Sequence, residues 1–131
     1  MYEKLKNGYL AEELFIVECL KRNIPISRPI FNTEPYDFIC ELSNNELKRV
    51  QVKQCWIDNK NRHITCLKSS YPRSNKCNIV GENIRIDFIA INDFDKWYII
   101  PRKIISNIKS NISVSKKGKY GKFINNFDFN E

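Results

Sequence analysis

Pro35-Tyr36-Asp37-Phe38-Ile39-Cys40-Glu41-Leu42 and Arg49-Val50-Gln51-Val52-Lys53 are the stretches whose reading decides the fold. Side chains alternate between the faces of a strand, so the first stretch sets Tyr36, Phe38, Cys40 and Leu42 on one side and Asp37, Ile39 and Glu41 on the other. The second sets Val50 and Val52 against Gln51 and Lys53. Ser43-Asn44-Asn45-Glu46 has the composition of a hairpin turn, joining strands expected over about 36–42 and 47–57. With both valines turned to the core, Asp37, Gln51 and Lys53 can point the same way. A carboxylate and a lysine so placed can hold a divalent ion and a water beside a phosphate.

Upstream, residues 3–22 lack proline and repeat apolar side chains at helical spacing on two sides. Leu5, Gly8, Phe15, Ile16 and Cys19 share one side; Leu10, Leu14 and Val17 share the other, which predicts a largely buried helix. Asn23 suits a left-handed residue after the last turn, and Pro25 stops continuation. Downstream, the polar turn Asp58–Arg62 leads to a strand through His63–Leu67, followed by a basic Ser/Asn-rich connection over 68–83. Ile84–Ile91 reads as a buried strand, paired back by Trp97–Ile100 across Asn92-Asp93-Phe94-Asp95. Pro101 suits the first turn of a short helix to about Ile108. The tail carries Lys116, Lys117, Lys119 and Lys122, then Tyr120, Phe123, Phe127 and Phe129, aromatics expected to pack on the body or on another subunit. Helix, mixed sheet and helix without repeat or linker predict a single α/β domain over 1–131, a central mixed β-sheet flanked by helices.

Composition narrows the function classes. Twenty-two Lys and Arg against fifteen Asp and Glu leave +7, which favours a polyanionic partner. Cysteines 19, 40, 55, 66 and 77 form no C-x-x-C pair, and His63 is the single histidine, so a zinc site is disfavoured. The odd cysteine count predicts reduced thiols and an intracellular protein, cytoplasmic, nuclear or organellar according to the host. No signal peptide is read before the helix, and no apolar run approaches the roughly 18 residues of a membrane span, so no membrane partner is expected.

In order along the chain, five motifs resemble the PD-(D/E)-x-K nuclease superfamily, in particular its group I intron homing endonuclease and archaeal resolvase-like branch. Gly8-x-x-Ala11-Glu12 is similar to the opening helix motif; Ser27-x-Pro29 with Pro35-Tyr36-Asp37 resembles the second block, and Val50-Gln51-Val52-Lys53 the third. Asp87-Phe88-Ile89-Ala90 and Trp97-Tyr98-Ile99-Ile100-Pro101 resemble the closing hairpin and the start of the next helix. Two positions depart from the pattern: Gln51 stands where an acidic residue is usual, and Asn23 where glycine is usual. The glutamine resembles the homing-endonuclease form.

The resemblance implies a restriction-endonuclease-like core and a site-specific DNA endonuclease that hydrolyses phosphodiesters with Mg2+, Mn2+ serving as a substitute. Its catalytic set would be Glu12, Asp37, Gln51 and Lys53, with Asp37, Gln51 and Glu12 as metal ligands. Spacing alone admits Glu12 or Glu13 as the helix carboxylate, and the resemblance selects Glu12. Each residue has a plainer reading: a turn carboxylate for Asp37, a solvated strand residue for Lys53, a DNA contact or surface amide for Gln51. Glu41 reads as a surface or supporting carboxylate, and His63 as a structural or DNA-contacting side chain. Asn59, Lys60, Arg62, Thr65, Lys68, Tyr71, Arg73 and Lys76 form a basic and amide-rich cluster expected to meet double-stranded DNA, with solvated polarity as the alternative. Because one small domain offers one site, a homo-oligomer, dimer or tetramer, is expected. A junction-resolvase-like nuclease and an inactive DNA-binding module are the competing functions.

Overall fold

The computed structural model describes residues 2–31, 33–69, 77–78, 84–108 and 110–131, with the side chains of 6–31, 33–67, 84–108 and 110–131. Among the described residues one helix, α1 (Tyr2–Lys21), precedes ten strands: β1 (Ile26–Ser27), β2 (Phe38–Glu41), β3 (Leu47–Gln54), β4 (Trp56–Ile57), β5 (His63–Cys66), β6 (Lys68–Ser69), β7 (Cys77–Asn78), β8 (Phe88–Asp93), β9 (Lys96–Pro101) and β10 (Asn111–Ser113). Two 3-10 turns, Arg102–Ile105 and Gly121–Phe123, complete the elements. The central sheet has the order β1-β2-β3-β8-β9 and is mixed, because β3 and β8 run parallel while the other neighbours run antiparallel. The α/β architecture with a mixed central sheet is the one the alternation predicts.

Helix α1 ends as its sequence requires. Asn23 takes φ 56° and donates to the Leu20 carbonyl, while the Ile24 N–H reaches the Cys19 carbonyl at 2.9 Å. Together these two bonds satisfy carbonyls left over at the last turn. Ala11, Phe15 and Cys19 then lie against Phe38, Cys40, Val50, Val52, Phe88 and Ala90. Phe15 is the centre of this layer, with Phe38, Trp97 and Phe127 ring centroids 5.7, 5.3 and 6.1 Å away. On the opposite face Ile89, Ile91, Tyr98 and Ile100 pack with Leu67, Ile105, Ile112, Val114, Tyr120 and Phe123.

The tail aromatics pack on the body itself, on both faces. Between them the chain crosses the outer edge of β9: Ile124 bridges to Tyr98, and the Asn125 side chain accepts from the Trp97 N–H at 3.1 Å. That coverage shields an edge strand that would otherwise present unpaired backbone groups.

Several expectations need correction. The second side of α1 is not buried: Leu10, Leu14 and Val17 are exposed, since a helix lying on a sheet can bury only one stripe. The strand expected over 47–57 breaks at Cys55, whose N–H turns to the Asn92 carbonyl, so Trp56 and Ile57 join β5 in a separate small sheet. Ile84–Asp87 is not strand, and the Asp87 carboxylate instead accepts from Nε and Nη2 of Arg49 and from the Arg49 backbone N–H, at 2.8–3.1 Å. The helix expected from Pro101 shrinks to the 3-10 turn Arg102–Ile105, with Pro101 closing β9.

Candidate active site

Strand β2 begins only at Phe38, leaving Asp37 just outside the ladder. Its N–H donates to the Val50 carbonyl at 2.9 Å, and its carboxylate accepts from the Val52 N–H at 2.8 Å. Asp37 thus brackets Gln51 from across the strand end. Lys53 follows near the end of β3, and α1 passes over β3 to bring Glu12 alongside.

The charges of Glu12, Lys53 and Arg28 all act on Asp37. Burial pushes the Asp37 carboxyl up to about 7; the Val52 N–H opposes this, the Glu12 charge adds to it, and Lys53 and Arg28 oppose it. Glu12 is raised for the same first reason, desolvation, with Arg28 pulling against it. Lys53 is held below the ordinary lysine range by burial, against the opposing pull of Cys66 and Asp37. Two partly buried carboxylates, an amine depleted of water and an arginine therefore share one small volume. Glu13, by contrast, is exposed and pairs with Arg28 at 3.4 Å, so Glu12 is the helix carboxylate that the fold turns toward Asp37.

Gln51 is half-buried on the same side of β3 as Lys53, and its amide nitrogen donates to the Val52 carbonyl at 3.4 Å. Among the described residues no group of three or more His, Cys, Asp and Glu side chains could hold a metal. The available donors are two carboxylate groups and one amide oxygen. All are hard oxygen ligands, a set that suits an ion retaining several of its waters. An added divalent charge would also favour the ionised forms of Asp37 and Glu12, which burial disfavours.

An open cleft of about 920 Å³ runs beside this group, lined by Asn7, Gly8, Lys53, Gln54, Cys55, Trp56, Cys66 and Phe94. Gly8 leaves it unobstructed, with nothing within 4 Å of where a Cβ would stand.

Of the residues expected to meet DNA, Asn59, Lys60 and Arg62 are exposed at the β4–β5 turn. Arg62 is tied back to Asp58 at 2.8 Å. Thr65 has to be withdrawn: it is fully buried and its hydroxyl donates to the Gln54 carbonyl at 2.8 Å, which removes it from any surface a duplex could meet. The Lys68 side chain and Tyr71, Arg73 and Lys76 lie outside the described residues. Glu41 sits exposed at the far end of β2 from Asp37. His63 is structural in its contacts, donating from Nδ1 to the buried Asp93 carboxylate at 2.6 Å. Sequence reasoning missed Arg28, although it is the unassigned middle residue of Ser27-x-Pro29. It also missed Cys66, whose place beside Lys53 depends on a second sheet folding back.

The sequence model of the PD-(D/E)XK endonuclease family matches residues 2–128. The chain belongs to that family. As a PD-(D/E)XK endonuclease it is a nuclease, and its fold is similar to a solved structure described as that of a bacterial homing endonuclease, I-Ssp6803I. The two share 17% identity, with a TM-score of 0.74 over 92% of this chain and 87% of the other. No curated protein matches this endonuclease in sequence. No helix among the described residues is long and apolar enough to cross a membrane.

Proposed function

We propose that this endonuclease is a site-specific, homing-type DNA endonuclease that uses a divalent ion, Mg2+ with Mn2+ as a substitute, held by Asp37, Glu12 and the Gln51 amide oxygen. The observation that carries the reading is Asp37, half-buried at a strand end and bonded to the Val52 N–H, with its carboxyl pushed up by burial and by the Glu12 charge and pulled down by Lys53. When bound, the ion supplies Lewis acidity at the phosphate and acidifies water. The chain does the rest. Asp37 is fixed by two backbone bonds to β3, so its carboxylate needs no reorganisation on binding. Lys53, largely desolvated, orients the attacking water and offsets negative charge as it grows on the phosphate oxygens. Glu12 holds a water from the helix side.

A duplex cut on both strands needs two such sites, and a symmetric homo-oligomer, dimer or tetramer, provides them. The uncovered Leu10, Leu14, Val17 and Leu20 on α1 offer a second copy an apolar surface. Lys60 and Arg62 supply exposed basic contacts to double-stranded DNA, with the Asn59 amide beside them.

The test is cleavage of supercoiled plasmid carrying candidate target sites, with a synthetic four-way junction in parallel. Asp37→Asn and Lys53→Ala are expected to abolish magnesium-dependent cutting while retaining most DNA binding. Cutting that survives both substitutions refutes the site; preference for the junction converts the reading to a structure-specific resolvase.

A further inference from the structure

The β8–β9 hairpin ends in a two-residue turn, because Asp93 pairs with Lys96 and leaves Phe94 and Asp95 at the tip. Phe94 there takes φ 59°. Such a position favours glycine, then asparagine or aspartate, since a Cβ in the left-handed region crowds the backbone. A phenylalanine is the wrong residue for the turn, and burial does not explain it either, because the side chain is 65% exposed.

The ring is nonetheless held with care. Asn92, buried, donates its amide to the Phe94 carbonyl at 3.2 Å. The His63 ring meets Phe94 at 73° with centroids 5.9 Å apart. His63 in turn is locked by its 2.6 Å bond to Asp93, which is 3% exposed. Finally, Phe94 lines the same cleft as Lys53, together with Trp56, itself 46% exposed. Strain kept at the rim of a working site, with an exposed aromatic as its only product, points to a contact with a molecule that enters the cleft.

We propose that Phe94 is a positioning wedge whose ring packs against a nucleobase of bound DNA, at a step it partly unstacks, and thereby sets the duplex register over Asp37 and Lys53. The inference rests on the reading that the cleft receives DNA. Every base offers a π face to an aromatic ring, and apolar wedges enter duplexes at steps that unstack at low cost. Pyrimidine–purine steps, TA and CA above all, are therefore the preferred place for it.

The experiment compares wild type with Phe94→Gly, Phe94→Leu and Phe94→Trp. It measures melting temperature, anisotropy binding to a short mixed-sequence duplex at low salt, and fluorescence of 2-aminopurine placed within a TA step. Phe94→Gly is expected to melt no lower than wild type, since glycine relieves the turn. It should bind about tenfold more weakly and lose the 2-aminopurine enhancement. Phe94→Trp should keep both signals, and Phe94→Leu, an apolar wedge without a π face, should fall between Phe94→Gly and wild type in both. Phe94→Gly that binds and unstacks like wild type overturns the proposal. So does a fall in oligomer mass with unchanged binding per protomer, which would make the ring a contact with a second copy. Wild type that unstacks the duplex but never cuts it overturns the cleavage reading and leaves the wedge standing; wild type that cuts, with Phe94→Gly equal to it, does the reverse.

Discussion

Asp37→Asn is expected to make the metal-free protein more stable near neutral pH, although it removes the residue on which cleavage is expected to depend. In the folded chain the Asp37 carboxyl titrates at about 7, against an ordinary value of 3.8. The folded state therefore retains a proton that the unfolded chain releases. Stability is undiminished below about pH 4, falls as pH rises through the interval, and carries the full penalty above about pH 7. A gap of about 3 pH units corresponds to about 4 kcal/mol. Because part of the carboxylate still meets water, about half of that, ~2 kcal/mol, is the expected size. Asparagine is nearly isosteric, cannot ionise, and its carbonyl can still accept from the Val52 N–H.

Thermal or urea unfolding in EDTA at pH 4.5 and pH 8 measures the difference. At pH 8 the variant should melt higher by roughly 6 °C for a domain of this size, and at pH 4.5 the difference should shrink to about a quarter of that. Adding magnesium at pH 8 should raise the wild-type midpoint more than the variant's, because only the wild type offers the carboxylate. A variant less stable than wild type at pH 8, or a difference independent of pH, would refute the electrostatic account of this site.

Gln51→Glu adds a carboxylate beside Asp37 and Glu12, so it should shift metal preference or cleavage rate with the far-UV spectrum unchanged; indifference in both, read in a Mg2+ and Mn2+ series, demotes Gln51 to a surface amide. Asp87→Ala removes a partly buried carboxylate bonded to the Arg49 guanidinium and backbone N–H, and should cost about 2 kcal/mol in urea unfolding. Burial raises the Asp87 carboxyl, but the Arg49 bonds outweigh it and hold the group below the ordinary range. Its contribution should therefore be present at neutral pH and fade as acid is added through that lowered value, in a pH series of the same unfolding curves. Gly8→Ala places a methyl in open space on a helix and should raise stability by about 0.5–1 kcal/mol in urea unfolding, an unchanged or lower midpoint refuting it.

Much of the fold is legible in local pattern because its causes are local. Alternation turns Val50 and Val52 inward, both nearly inaccessible, and Asn23 and Pro25 end α1 where the left-handed turn and the missing N–H require. The Asn45 turn between β2 and β3, with φ 70°, is likewise local. Thr65 escapes such reasoning because period-two alternation gives a strand two faces but cannot tell that the end of β3 meets the polar one, where the Thr65 hydroxyl donates to the Gln54 carbonyl. Ile84–Asp87 misleads for a related reason: apolar alternation predicts burial, and Ile86 is buried, yet a strand exists only where a partner ladder does.

By itself, then, the sequence determined the helix, the β2–β3 hairpin, the alternation that groups Asp37, Gln51 and Lys53, and the motif order that marks the family. Each arises from steric and hydrophobic preferences acting over a few residues. Spacing left Glu12 and Glu13 open and the motif favoured Glu12; tertiary structure turned Glu12 toward Asp37 and Glu13 to Arg28, and it alone decided that Arg28 and Cys66 join the group and that Phe94 stands strained at the cleft rim. Those outcomes depend on how α1 rolls on the sheet and how the second sheet folds back. Charges distant in sequence alter one another's titration only when packing removes the water between them.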